Sequence, residues 1–323
     1  MQSLIQITVW HWVGFVSCVL IFLSADLGLF HRRAHAVKFR EALLWSAVWF
    51  SLAVVFALVL HPLRGPKEAL EFSTGYLIEL SLSMDNVFVM ALIFAYFRVP
   101  AEYQHRVLYW GILGALVMRG VMIGLGLALV SRLHWILYFF GAFLIYSGIK
   151  MLLVKTTVEP EKNRMIRLAR KLYPVTPELD GQKFVTVWNG KQALTPLALV
   201  LLMVETTDLI FAVDSIPAVF SVTTKPFIVF TSNVFAILGL RSLYFVLADA
   251  ITYFRYLKYG LPLVLAFTGV KMLLDPPDSG RVFWFQIEIP VSISLSIVAA
   301  IILVSIALSV VATYRERRRN KPK

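Results

Sequence analysis

Nine stretches of about twenty or more mostly apolar residues limit what this chain can fold into. They run over residues 8–30, 42–61, 72–97, 106–130, 134–154, 193–222, 226–250, 256–275 and 288–312. About 20 such residues cross the hydrocarbon layer of a bilayer as a helix. The chain is 59% apolar, and only 15% of it is Asp, Glu, Lys or Arg, against about 25% in an average soluble protein. That leaves too little charge to cover a soluble surface and too much hydrophobicity for disorder. The predicted fold is an all-α polytopic membrane protein of about nine transmembrane helices, forming one membrane domain over 1–323. The first stretch has no basic flank ahead of it and no small-residue cleavage site, so it is expected to stay as a helix. The single Cys18 excludes an intramolecular disulfide and any cysteine-based metal cluster.

The net charge of +12 suggests a nucleic acid partner until the positions are considered. With nine crossings, 22 Lys and Arg fall on one side and 5 on the other. The rich side holds the first connection (Arg32, Arg33, Lys38, Arg40), the third, the seventh, the tail 313–323 and the long connection 155–192 with eight basic residues. The poor side holds Arg64, Lys67, Arg132, Lys225 and Arg281. Basic residues concentrate in cytoplasmic loops. The expected orientation is therefore N-terminus outside and C-terminus in the cytoplasm, with no nucleic acid partner. The segment 155–192 is polar, basic and carries Pro160, Pro174 and Pro177. At that length it reads as a linker, with a short helix over 161–172 and no folded domain.

Two parts of the chain are alike. Ser147–Leu153 (SGIKMLL) returns as Thr268–Leu274 (TGVKMLL), Arg119 returns as Arg241, and the pair Glu79 and Asp85 returns as Asp208 and Asp214. Asn86 then matches Ser215. Each copy holds three stretches, 72–154 and 193–275. Three is odd, so the second copy enters the membrane from the opposite side. Helices 3–5 and 6–8 are thus expected to form an inverted repeat, an architecture of secondary transporters.

Five carboxylates lie inside apolar stretches: Glu79, Asp85, Glu205, Asp208 and Asp214. Each costs about 2.5–3.5 kcal/mol at mid-membrane on insertion scales, and the usual reason is an ion or proton pathway facing the bundle interior. Glu79, Ser83 and Asn86 share one helix face, as do Asp208, Ala212 and Ser215. Asp85 and Asp214 lie off those faces in ideal helices. Pro217 withholds a donor from the carbonyl of Val213, and a locally unwound segment there would aim Asp214 and that carbonyl at an ion. All these ligands are hard oxygens, which favours manganese, calcium or magnesium over copper and zinc. Counting Arg119 and Arg241 as structural charge partners leaves about three negative charges, enough for one divalent cation and one proton. Lys150 and Lys271 are expected to snorkel from helix ends, Asp26 and Asp249 to sit in solvated helix ends, Glu71 to lie at an interface, and Gly111, Gly114, Gly120 and Gly124 to be close-packing positions.

The segments Gly75–Val89 and Leu202–Phe220 resemble the two signature segments of the TerC family of integral membrane proteins. Phe211–Ala218 (FAVDSIPA), Ser83–Val87 (SMDNV) and Thr231–Arg241 (TSNVFAILGLR) carry the resemblance, which runs over most of the chain and is strongest to the family's Alx-type form. The resemblance implies export of manganese from the bacterial cytoplasm through the inner membrane, with Glu79, Asp85, Asn86, Asp208, Asp214 and Ser215 at the family's acidic positions. Some members carry Lys or Gln after the third-helix Glu, where this chain has Leu80.

The expectation is therefore a secondary transporter that exports Mn²⁺ in exchange for protons. Asp85 and Asp214 would be direct ligands, Asn86 and Ser215 would supply neutral oxygens, and Glu79, Glu205 and Asp208 would complete the shell or take the proton. Ligand chemistry alone leaves Ca²⁺ open as the cargo. No permanently bound cofactor and no enzymatic activity are expected. No G-x-x-x-x-G-K-[ST] loop is present, so nothing in the sequence marks this chain as an ATPase. An intramembrane aspartyl protease would also use two aspartates on different helices, but the Gly-x-Gly-Asp context is missing. The remaining alternative is a membrane subunit of a tellurite- or stress-resistance complex, docking through 155–192.

Overall fold

The structure, a computed structural model, describes residues 6–25, 39–133, 135–153, 163–250, 256–275 and 286–319. The expected stretches form α1 (Val9–Ala25), α2 (Phe39–Arg64), α3 (Pro66–Tyr96), α4 (Ala101–Arg132) and α5 (Ile136–Leu153), followed by α7 (Pro196–Phe220), α8 (Pro226–Ala250), α9 (Leu257–Leu274) and α10 (Val291–Arg319). Seven of these are long and apolar enough to cross a membrane. Within the described residues α1 and α9 are apolar but shorter. The protein is an all-α polytopic membrane protein. Asp26 lies outside the described residues, as do the side chain of Asp249 and most of the basic first connection.

Prolines mark the helix starts. Pro66, Pro196 and Pro226 are the first residues of α3, α7 and α8, and Pro100 immediately precedes α4. At the first helical position the missing N–H would have no partner anyway, and the fixed φ suits the helix. Gly65, at φ 92°, turns the chain between α2 and α3, a backbone shape that glycine adopts without strain. Pro217 lies inside α7 and does not break it, for α7 is helical through Phe220. So near the helix end the missing donor forfeits one backbone bond, and the expected unwound segment is absent.

The core is built around α3 and α8, the most buried of the long helices, while α2, α5 and α10 are the least buried. α3 packs on α8, α4 on α7, and α5 on α9, with α3 also against α7 and α4 against α8. The α5–α9 crossing is close because glycines face each other. A methyl on Gly269 would lie 2.7 Å from the Gly141 carbonyl oxygen, and one on Gly148 would lie 2.8 Å from that of Pro262. Small residues of this kind bring membrane helices together, where burial of apolar surface gives no driving force. In α4, a methyl on Gly111 or Gly120 would meet Val204 or Phe230 at ordinary contact distance, 3.4 and 3.5 Å, and Gly124 faces open space, so these three are not the close-packing positions expected.

The described part of the connection between α5 and α7, from residue 163, carries the expected short helix and a hairpin that the linker expectation did not include. It contains α6 (Arg164–Leu172), whose Asn163 side chain caps the amides of Met165 and Ile166, and an antiparallel hairpin of β1 (Val185–Trp188) and β2 (Lys191–Leu194). The hairpin turns on Asn189 and Gly190, with φ of 50° and 72°. Asn-Gly between two strands is a strong short-range hairpin signal, and the sequence carries it. Asp180 closes the hairpin base by accepting from Thr186 Oγ1 at 2.6 Å and Lys183 Nζ at 3.1 Å. These donors hold its carboxyl below the usual carboxylate range.

Candidate functional site

The intramembrane polar residues converge where α3, α4, α7 and α8 meet. Arg119 of α4 is 2% exposed and grips Asp208 of α7 with two donors. Nη2 reaches Oδ1 at 2.9 Å and Nε reaches Oδ2 at 3.2 Å. Its Nη1 donates to Asn233 Oδ1 of α8 at 3.2 Å and pairs with Glu79 of α3. Asn86 Nδ2 of α3 donates to Asp208 Oδ1 at 3.1 Å. One guanidinium thus ties four helices together and neutralises part of the charge of two buried carboxylates. A fork of this shape is what arginine offers and lysine does not. Arg119 is the structural charge partner the sequence suggested. Asn233 was not among the expected site residues; it stands in the quoted TSNVFAILGLR segment, yet a lone amide on an apolar helix gives no sign of its neighbour.

Beside this network lies a cavity of about 20 Å³, bordered by Glu79, Ser83, Asp85, Asn86 and Arg119 on one side and Asp214 and Ser215 on the other, with Leu82, Met151, Phe211 and Leu265 completing its wall. That volume is of the order that holds one water-sized particle. At 100° per residue the α3 contributors span about 160° of the helix circumference, so Asp85 reaches the same space as Glu79 although an ideal wheel separates them. Ser83 Oγ, Asn86 Oδ1, Ser215 Oγ and Glu79 Oε2 are buried with no hydrogen-bond partner among the described residues. Buried polar oxygens left this way each cost about 1–3 kcal/mol, and four of them border one small space. Asp85, half-buried, makes no hydrogen bond or ion pair among the described residues. Asp214, also half-buried, has Ser147 and Lys150 of α5 beside it.

Two expected members stand elsewhere. Glu205 does not border the cavity. Its carboxylate sits against Gly114 of α4, where any Cβ would collide with it, so Gly114 makes room for a charged group. Arg241 is buried and borders a second, mostly apolar cavity of about 10 Å³ with Asp208, Met90, Leu108, Gly111 and Leu240. The Arg119–Asp208 pair thus separates two small spaces. Among the described residues no three of His, Cys, Asp and Glu are placed to hold one metal ion together. The oxygens that border the first cavity are mixed carboxylate, amide and hydroxyl.

One further expectation needs correction. Lys271 does not snorkel. It is buried on α9, with its Nζ on the Ser221 carbonyl beyond α7 and on Asp275 at 2.8 Å, because the end of α7 offers an oxygen closer than the interface. Glu71, near the start of α3, lies at the level of the α7–α8 connection. It is buried, accepting from Thr223 Oγ1 at 3.0 Å and pairing with Lys225 at 3.0 Å. Lys225 also pairs with Glu68 at 3.2 Å, so one lysine fastens the start of α3 to the α7–α8 connection.

The TerC family of integral membrane proteins matches residues 64–320 of this chain. An uncharacterized membrane protein of Myxococcus xanthus is 52% identical over 292 residues, covering 90% of this chain and 89% of the relative. The Escherichia coli K12 protein named as the membrane-bound redox modulator Alx is 44% identical over 315 residues, covering 94% and 95%. An uncharacterized membrane protein of Rickettsia bellii is 38% identical over 301 residues, covering 93% and 97%. No solved structure matches the chain.

Proposed function

The chain belongs to the TerC family, and we propose that it is a secondary transporter that moves a divalent cation, Mn²⁺ by preference, out of the bacterial cytoplasm in exchange for protons. The observation that carries this reading is the cavity between α3 and α7. Four buried oxygens of residues that border it lack hydrogen-bond partners among the described residues, and two further carboxylates, Asp85 and Asp214, border the same space. Such groups persist in a membrane interior when they serve a polar cargo. Asp85 and Asp214 would bind the ion directly. Ser83, Asn86 and Ser215 would replace part of its water shell, and Glu79, paired with Arg119, would border the ion without joining its ligands. All are hard ligands, which suit Mn²⁺, Mg²⁺ and Ca²⁺; the choice of Mn²⁺ leans on the family resemblance.

Asp208, expected as a ligand or proton acceptor, is assigned instead to holding Arg119. Glu205, apart from the cavity, is assigned the proton. Pairing of α3 with α8 and of α4 with α7 is what two inverted three-helix units would give when they interlock. We take 72–154 and 193–275 as those units, rocking about the cavity. On the basic-residue bias, α6 and the hairpin would lie in the cytoplasm and the N-terminus outside. Relatives named for redox modulation raise a thiol role, but a single cysteine provides no dithiol within the chain.

The test is flux. Purified protein in liposomes with an internal Mn²⁺-quenched dye and a pH dye is given a Mn²⁺ gradient. Quenching accompanied by opposite proton movement, and lost in both Asp85→Asn and Asp214→Asn, is the expected result. Mn²⁺ movement without proton movement would remove the exchange. No divalent movement from folded protein would remove the transporter reading in favour of a complex subunit.

A further inference from the structure

α6 has three distinct sides. Ile166 is 1% exposed and, with Ala169, packs on the core cluster containing Leu197, Val200 and Met203 of α7. Met165, Leu168 and Leu172, at i, i+3 and i+7, form a second side that is bare, at 49%, 50% and 64% exposure. Arg164, Arg167, Arg170 and Lys171 occupy the third and are exposed. None of the four has an ion pair among the described residues. A helix docked on a soluble surface would have a polar face where α6 has Met, Leu and Leu.

Its depth explains the pattern. Asn163 Nδ2 lies 3.2 Å from Met203 Sδ. Met203 is seven residues into α7, or about 10 Å along its axis at 1.5 Å per residue. α7 has 25 residues, and its length of about 37 Å exceeds a ~30 Å hydrocarbon layer by only a few ångströms at each end. Met203 is therefore about 7 Å inside the hydrocarbon edge, and the start of α6, which touches it, falls within the ~5–10 Å depth at which interfacial helices rest. A short, basic, amphipathic helix at that level rests its apolar side in the acyl boundary and its cations among the headgroups.

From this geometry we infer that α6 is an interfacial helix that seats on an anionic lipid leaflet, with Met165, Leu168 and Leu172 in the acyl boundary and Arg164, Arg167, Arg170 and Lys171 on lipid phosphates. α6 is packed on α7, the helix that bears Asp208 and Asp214. The seating itself is independent of which ion is carried.

The test uses the full chain with Cys18→Ser and a single new cysteine carrying an environment-sensitive NBD dye, at Leu168→Cys or, as a second position, Met165→Cys. Glu178→Cys, on an exposed part of the same connection, is the water reference. The protein is reconstituted in phosphatidylcholine vesicles with about one-third phosphatidylglycerol and a shallow doxyl-labelled lipid. The expected result is blue-shifted emission and at least about twofold stronger doxyl quenching at 168 and 165 than at 178. Replacing the four basic residues by Gln should lower that quenching by about half or more, as should omitting the phosphatidylglycerol. Water-like emission with iodide quenching would overturn the proposal. So would a dye shielded from both iodide and doxyl lipid, which would indicate a protein partner or a second copy. Quenching insensitive to both the anionic lipid and the Gln replacements would overturn the phosphate contact.

Discussion

Removing Arg119 should unfold more of this protein than removing any other single intramembrane charge. Its guanidinium serves Asp208 with two donors, Asn233 with one, and Glu79 as a counter-charge. Arg119→Ala removes the cation that pairs with both buried carboxylates, Glu79 and Asp208. Breaking a buried pair from one side costs about 3–5 kcal/mol, and the second carboxylate puts this site at the upper part of that range. Asp208→Asn alone keeps Arg119 paired with Glu79 and Asn233, and should cost about 1.5–3 kcal/mol, the range for a hydrogen bond to a charged group. In Arg119→Ala/Asp208→Asn one of the two orphaned charges is gone, so the double variant should lose less than the sum by about 1–3 kcal/mol. The assay is reversible unfolding by SDS titration in mixed micelles, followed by far-ultraviolet circular dichroism. Arg119→Ala within about 0.5 kcal/mol of the parent, or strict additivity of the two changes, would refute the claim that this pair joins the helices.

Other consequences can be measured separately. Asp85→Asn and Asp214→Asn should abolish transport while changing unfolding free energy by less than about 1 kcal/mol, since neither aspartate belongs to the Arg119 network. Gly114→Ala should destabilise by about 1–3 kcal/mol through collision with Glu205, and adding Glu205→Ala should recover most of that loss in the same unfolding assay. Gly269→Ala should cost a similar amount by separating α5 from α9. Asp180, held below the usual carboxylate range by Thr186 and Lys183, should stabilise the hairpin fully above the unfolded pKa of about 3.9 and lose that contribution as pH falls through its lower folded value. Carbon-13 titration of that carboxyl in micelles checks the direction, and Asp180→Asn should remove the dependence.

Much of the architecture was legible because lipid permits few choices. The nine apolar stretches became helices close to their expected bounds, and the five carboxylates were visible as charges in the wrong solvent. Which of them share a space was less legible. Helix-face arithmetic grouped Glu79 with Asn86 but could not show that Asp85, on an oblique side, reaches the same cavity, since that depends on how α3 and α7 are rotated against each other. It could not separate Glu205 from the rest either, because the separation is made by Gly114 on another helix. Pro217 suggested a break that its position near the end of α7 makes unnecessary. Lys271 looked like a snorkelling residue because one of its two partners, the Ser221 carbonyl, is a backbone atom that leaves no mark in the sequence, although the other, Asp275, stands four residues on. The hairpin had a mark in Asn189-Gly190, which the low hydrophobicity of its surroundings obscured.

The central claim is that the cavity between α3 and α7 binds the cation, and equilibrium Mn²⁺ binding to purified protein tests it most directly. Calorimetry should find about one divalent ion per chain, released by competing Ca²⁺ or Mg²⁺ at higher concentration. Binding should be lost in Asp85→Asn and in Asp214→Asn and retained in Glu205→Gln. Unchanged binding in Asp85→Asn and Asp214→Asn, or loss in Glu205→Gln alone, would place the ion elsewhere and contradict the account.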